Sequence, residues 1–144
     1  MNRIRDAFLA VVILAFAVLP ARADSVSPAD QQAIHDMIAS QIRAFRQDDG
    51  SAAYSYASPM IHSIFPTVDD FMAMVKGGYQ PVYRPKSVTF GAFVADSPLG
   101  PIQKVYLTGP DGQPYVAIYS LQRQPDGTWK INGCTILKDD APTI

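Results

Sequence analysis

The sequence predicts an α+β domain: a long N-terminal helix and two short helices packed on a curved, four-stranded antiparallel meander. Two observations carry this prediction. Apolar residues recur at helical spacing through the first half, behind recognisable caps. From Ser87 the period changes to two, and two Pro-Asp-Gly turns divide the later strands.

The first 23 residues read as a cleaved secretory signal. Arg3 and Arg5 form a positive start, Ala7 to Leu19 is an apolar run, and Ala21-Arg22-Ala23 is an A-x-A cleavage site. The run is 13 residues long, against about 20 for a membrane span. The expected mature chain is one domain over 24–144, periplasmic or secreted, with no membrane contact after cleavage. Its charge is 12 − 3 = 9 basic against 13 − 1 = 12 acidic residues, net −3. With no lysine-arginine cluster, a nucleic-acid partner is not expected.

Ser27-Pro28-Ala29-Asp30 is a helix start, with a capping serine, proline at the first position and an early acid. Ile34, Met37, Ile38, Ile42 and Phe45 then share one stripe, so the helix should run from Pro28 to Gln47. Gly50 is expected to supply a left-handed stop. Ser51 to Ser58 reads as a short aromatic helix ended by Pro59, and Met60 to Phe65 as an apolar turn. Thr67 caps a second short helix with Phe71, Met74 and Val75 on its buried stripe, and Gly77-Gly78 ends it. Two prolines make Tyr79 to Pro85 extended.

Four strands follow. Ser87 to Ala95 should place Val88, Phe90, Ala92 and Val94 on one face. Ile102–Thr108, Gln113–Arg123 and Thr128–Lys138 complete the meander, with hairpin turns at Pro110-Asp111-Gly112 and Pro125-Asp126-Gly127. The third strand is apolar on both faces, so the second face should be covered by a partner chain or by segment 79–85. Trp129, the only tryptophan, is expected to be buried against the long helix near Ile42 and Phe45. Cys134 is the only cysteine, so it forms no internal disulfide; its apolar strand favours an inert, buried thiol.

Helices followed by an antiparallel meander resemble the nuclear transport factor two-like, or cystatin-like, cone. A closer resemblance rests on Phe45, Asp48-Asp49, Ala57-x-Pro59, Tyr79-x-Pro81, Arg84-Pro85 and Trp129-x-Ile131. In these the chain resembles a bacterial exported family known as domain of unknown function 4864. That resemblance implies the cone fold and an exported location, and it brings no catalytic residues.

No phosphate-cradling glycine loop, dinucleotide fingerprint or nucleophile elbow is present. Two distant histidines and one cysteine make no zinc site, and no cofactor is expected. All 13 acids are aspartates, and the adjacent pairs point in different directions on a helix. The candidate proton carriers are His62 and Asp48, beside Tyr54 and Tyr56. A ligand opening is expected where the helix and sheet diverge, lined by Tyr54, Phe65, Tyr79 and Tyr83 with Arg84 at its rim. Arg84 can alternatively pair with Asp48 or Asp49 inside the fold. The first functional expectation is a non-enzymatic module binding a small apolar ligand. The alternatives are an isomerase- or dehydratase-like enzyme using His62 or Asp48 with a tyrosine, and a homodimeric interaction domain.

Overall fold

The computed structural model describes residues 25–140. The expected signal segment and its cleavage site lie outside the described residues, as does the tail beyond Asp140.

The long helix, α1, spans Pro28–Arg46. Its start is a complete capping box: Ser27 Oγ accepts from Asp30 N at 3.0 Å, and the Asp30 carboxylate accepts from Ser27 N at 2.9 Å. Aspartate therefore serves where glutamate is usual. Ile34, Met37, Ile38, Gln41, Ile42 and Phe45 are buried.

Gly50 is not the helix stop. The left-handed residue is Asp48, with φ 53°, a conformation that aspartate tolerates better than most side chains. Gly50 opens α2 (Gly50–Ser55), capped by Asp49 Oδ1 accepting from Ala52 N at 3.1 Å. A Cβ at Gly50 would meet Met72 and Val68 side-chain atoms at 2.9 Å, so close packing is what calls for glycine.

Residues 60–65, expected as a turn, lie mostly within a helix, α3 (Pro59–Ile64), capped by Ser58. Thr67 Oγ1 accepts from Asp70 N at 3.1 Å and starts α4 (Val68–Gly78). Segment 79–85 is not extended, because Gln80–Tyr83 forms one helical turn, α5. Pro59 and Pro81 both fall in the first turn of a helix, where a missing N–H costs nothing.

The strands are β1 (Ser87–Ser97), β2 (Gly100–Thr108), β3 (Pro114–Arg123) and β4 (Trp129–Lys138). They form an antiparallel sheet in the order β1-β2-β3-β4, so the fold class is α+β. Gly112 and Gly127 take φ of 78° and 85° in the two Pro-Asp-Gly turns, which only glycine adopts without strain.

Three register shifts interrupt the ladders, one of them at the β1–β2 hairpin end between Val94 and Ser97. In β1 the register shifts between Phe90 and Phe93. Phe93 consequently joins Val88 and Phe90 at the core, while Ala92 and Val94 are exposed, contrary to the simple period-two expectation. Buried Gln103 serves this bulge, its Nε2 donating to the Gly91 carbonyl at 3.0 Å. In β4 Asn132 is the extra residue, because Ile131 faces Leu121 and Gly133 faces Ser120. That shift brings Cys134 opposite Tyr119.

The helices cover the sheet face bearing Val105, Leu107, Ala117, Tyr119, Leu121 and Ile131. On the other face Tyr106 stands opposite Val116, which stands opposite Leu137. Tyr106 is 41% and Leu137 48% exposed. Segment 79–85 does not cover that face, since its Val82 is buried in the helical core.

Trp129 is buried, but not near Ile42. Its indole Nε1 donates to Asp30 Oδ1 at 3.2 Å, and the Arg123 guanidinium lies 4.6 Å over its ring. Ile42 is twelve residues along the helix from Asp30, about 18 Å away. The tryptophan thus closes the N-terminal end of α1, where Arg123 also pairs with Asp30 at 3.0 Å.

Candidate functional site

The α2–α3 junction is strapped to the edge of β4. Ser58 N donates to the Ile131 carbonyl at 2.8 Å, and Ile131 N donates to the Tyr56 carbonyl at 2.9 Å. Ala57 thereby pairs with Ile131 in an isolated parallel bridge. Ser58 Oγ adds a bond to Asn132 Oδ1 at 2.8 Å. Further along β4, the Tyr79 hydroxyl donates to the Cys134 carbonyl at 3.1 Å and ties the end of α4 to the same edge.

Among these straps lies a cavity of about 340 Å³. Its floor is Gln41 and Phe45 of α1 with Tyr119 of β3 and Ile131 to Thr135 of β4. Phe71, Met74 and Val75 of α4 form one wall. Met60, Ile61 and Ile64 of α3, with Phe65, form another. No aspartate, lysine, arginine or histidine is among the lining residues. Three polar groups are engaged within the fold: Gln41 Nε2 donates to the Ala53 carbonyl at 3.1 Å, Asn132 Oδ1 accepts from Ser58, and the Tyr79 hydroxyl donates to Cys134.

Burial raises the pKa of every titratable group on this wall. It pushes the Cys134 thiol up to about 12, raises Tyr79 and lifts Tyr119 far above the ordinary tyrosine value. Near neutral pH all three stay protonated, so the wall offers no thiolate or phenolate nucleophile. The Tyr119 hydroxyl is fully buried and has no hydrogen-bond partner. The Cys134 thiol is close enough to perturb it.

Of the residues expected at the opening, Phe65 and Tyr79 line the cavity, whereas Tyr54, Tyr83 and Arg84 do not. Tyr54 stacks on His62 with ring centroids 3.8 Å apart and planes 5° from parallel. Its hydroxyl donates to the Phe65 carbonyl at 2.6 Å. His62 Nε2 sits 2.8 Å from the Tyr54 carbonyl, which can only accept, so that nitrogen carries the hydrogen. This pair braces α2 to α3, and His62 is absent from the cavity wall.

Tyr83, Arg84 and Asp48 form a lock at the C-terminal end of α1. The Tyr83 hydroxyl donates to Asp48 Oδ1, and Arg84 pairs with Asp48 Oδ2 at 2.8 Å. Arg84 also donates to the Phe45 carbonyl and lies 4.0 Å over the Tyr83 ring. The cation sits where the helix dipole is negative. The Tyr83 hydroxyl, then Arg84, holds Asp48 below the usual carboxylate range, and Asp48 in turn raises Tyr83. Asp48 thus meets a tyrosine hydroxyl at the surface and away from the cavity, with its side chain 57% exposed.

Met60, Ile61, Ile64, Met74, Asn132 and Cys134 were not among the expected wall residues. The apolar run from Met60 to Phe65 is the sequence signal for three of them. Among the described residues no three histidine, cysteine or acidic side chains gather as a metal site. No described helix is long and apolar enough to cross a membrane.

The residues that carry the family resemblance are joints of this frame. Asp48 and Arg84 lock α1 to α5. Ala57 and Ile131 form the bridge, Pro59 starts α3, Tyr79 ties α4 to β4, and Trp129 closes the far end. Neither the curated proteins nor the solved structures contain a match to the chain. A family model described as domain of unknown function (DUF4864) matches residues 27–144, and the chain belongs to that family.

Proposed function

We propose that this protein is an exported, non-enzymatic binding module that holds a small apolar molecule in the cavity between α1, α3, α4 and β4. One observation carries the reading: a cavity of about 340 Å³ whose lining has no charged side chain. That volume is within the range of small-molecule sites, which are mostly apolar. The enzymatic alternative finds less support, because His62 and Asp48 both lie off the cavity wall and each is committed to a structural partner. Export rests on the charged start, apolar run and A-x-A site of residues 1–23. Titration of the folded chain with an environment-sensitive apolar dye tests the reading. Saturable enhancement that is lost on denaturation supports it. Absence of any response from native protein would overturn it.

A homodimeric reading is favoured by the outer sheet face, where Tyr106, Val116 and Leu137 stand in one cross-strand row and Tyr106 and Leu137 stay exposed. Light scattering at high concentration decides it: a dimer that dissociates on Tyr106→Asp is expected, and a strict monomer rejects it.

A further inference from the structure

Resting on the binding reading above, we infer that the cavity receives the methyl end of a single hydrocarbon chain. The polar head of that amphiphile stays at the mouth beside α3. Three observations lead there. First, the wall has no charged side chain, and Gln41 Nε2 and the Tyr79 hydroxyl already donate within the fold. A polar or charged group pushed to the inner end would lose water and gain little.

Second, the apolar lining does not stop at the rim. Met60 and Ile64 line the cavity and are also 48% and 60% exposed. α3 has no buried residue at all. Its apolar side chains therefore make a continuous path from the interior to the surface, as needed by a ligand that is apolar along its length and protrudes. A compact apolar ligand would need only the enclosed part.

Third, the size fits a chain. A dry cavity of about 150 Å³ holds benzene, so about 340 Å³ takes roughly twice as many carbons, about a dozen. Met60 of α3 and Met74 of α4 both line the cavity, and unbranched thioethers adapt to a ligand with many rotamers.

Calorimetry with alkanoates of increasing length, below their micellar concentrations, tests this. Each added methylene should tighten binding about fourfold, then the gain should level off near a dozen carbons. Decanol and decanoate should bind within about threefold of each other, because the head stays in water. Dodecanedioate, charged at both ends, should bind roughly a hundredfold more weakly than dodecanoate. Ile64→Asp should weaken decanoate more than decanol. Met74→Trp should move the plateau to shorter chains; if that variant does not fold, the length series on the native protein still decides. Pelleting with phosphatidylcholine vesicles would assign the chain to a bilayer lipid, and remaining in solution would assign it to a free amphiphile. Dye binding without any length dependence, or equal affinity for the diacid, overturns the inference and leaves the binding module standing. Failure of both dye and alkanoates overturns both.

Discussion

The two ends of the wedge between α1 and the sheet differ in chemistry. At the N-terminal end of α1, Asp30, Arg123 and Trp129 form a closed polar clamp. Toward its C-terminal half, beside Gln41 and Phe45, the wedge is hollow and its wall uncharged. The difference follows from what each end has opposite it. Trp129 is large enough to fill its end, and its indole N–H finds the carboxylate that also caps the helix. The other end is closed by α4 and by α3, the six residues Pro59–Ile64, none of them buried. A helix of that length covers the gap without filling it. Charge is spent on fastening, at Asp30 and again at Asp48, and is kept out of the space between.

The largest expected effect is at the closed end. Trp129→Ala should destabilise the fold by about 3–5 kcal/mol in a denaturant titration. A loss below about 1 kcal/mol would erase the contrast, since the clamp would then hold nothing that the hollow end lacks.

Acid should act on the same clamp. The Ser27 backbone N–H first, then the Trp129 indole and Arg123, hold Asp30 well below the usual carboxylate range. Asp48, Asp111 and Asp126 are lowered too. A carboxyl with a depressed folded pKa contributes stability above its unfolded value, about 3.9, and loses it as pH falls further. Stability should thus be level with respect to these groups above about pH 5 and fall below about pH 4. Asp30→Asn should shallow that fall. An unchanged slope in the variant would mean that the clamp's charge is immaterial and only the ring matters.

The smallest effect is expected at the hollow end. Tyr119→Phe removes a buried hydroxyl that has no hydrogen-bond partner. Its stability should stay within about 0.5 kcal/mol of the parent or rise, because an unpaired polar group costs free energy when buried. A drop of more than about 1 kcal/mol would reveal a bond at that hydroxyl, and the cavity wall would then be as fastened as the clamp.

The sequence alone makes legible the helix caps, the long amphipathic stripe, the two glycine turns and the order of four strands. These depend on neighbours within a few residues, as with Ser27 and Asp30 or Gly112 and Gly127. It also marked the family through residues that turn out to be joints. It misjudged segments 60–65 and 79–85, because a proline breaks a helix or begins one according to which turn it occupies. Tertiary structure alone decided the rest. The bulges at Gly91–Ala92 and Asn132 set which side chains face inward, and a single inserted residue reverses that choice for the remainder of a strand. Partners 30 or more residues apart, such as Asp30 with Trp129 or Asp48 with Arg84, leave no local periodicity to read. The cavity is likewise the space that six elements fail to fill, and no single stretch of sequence encodes it.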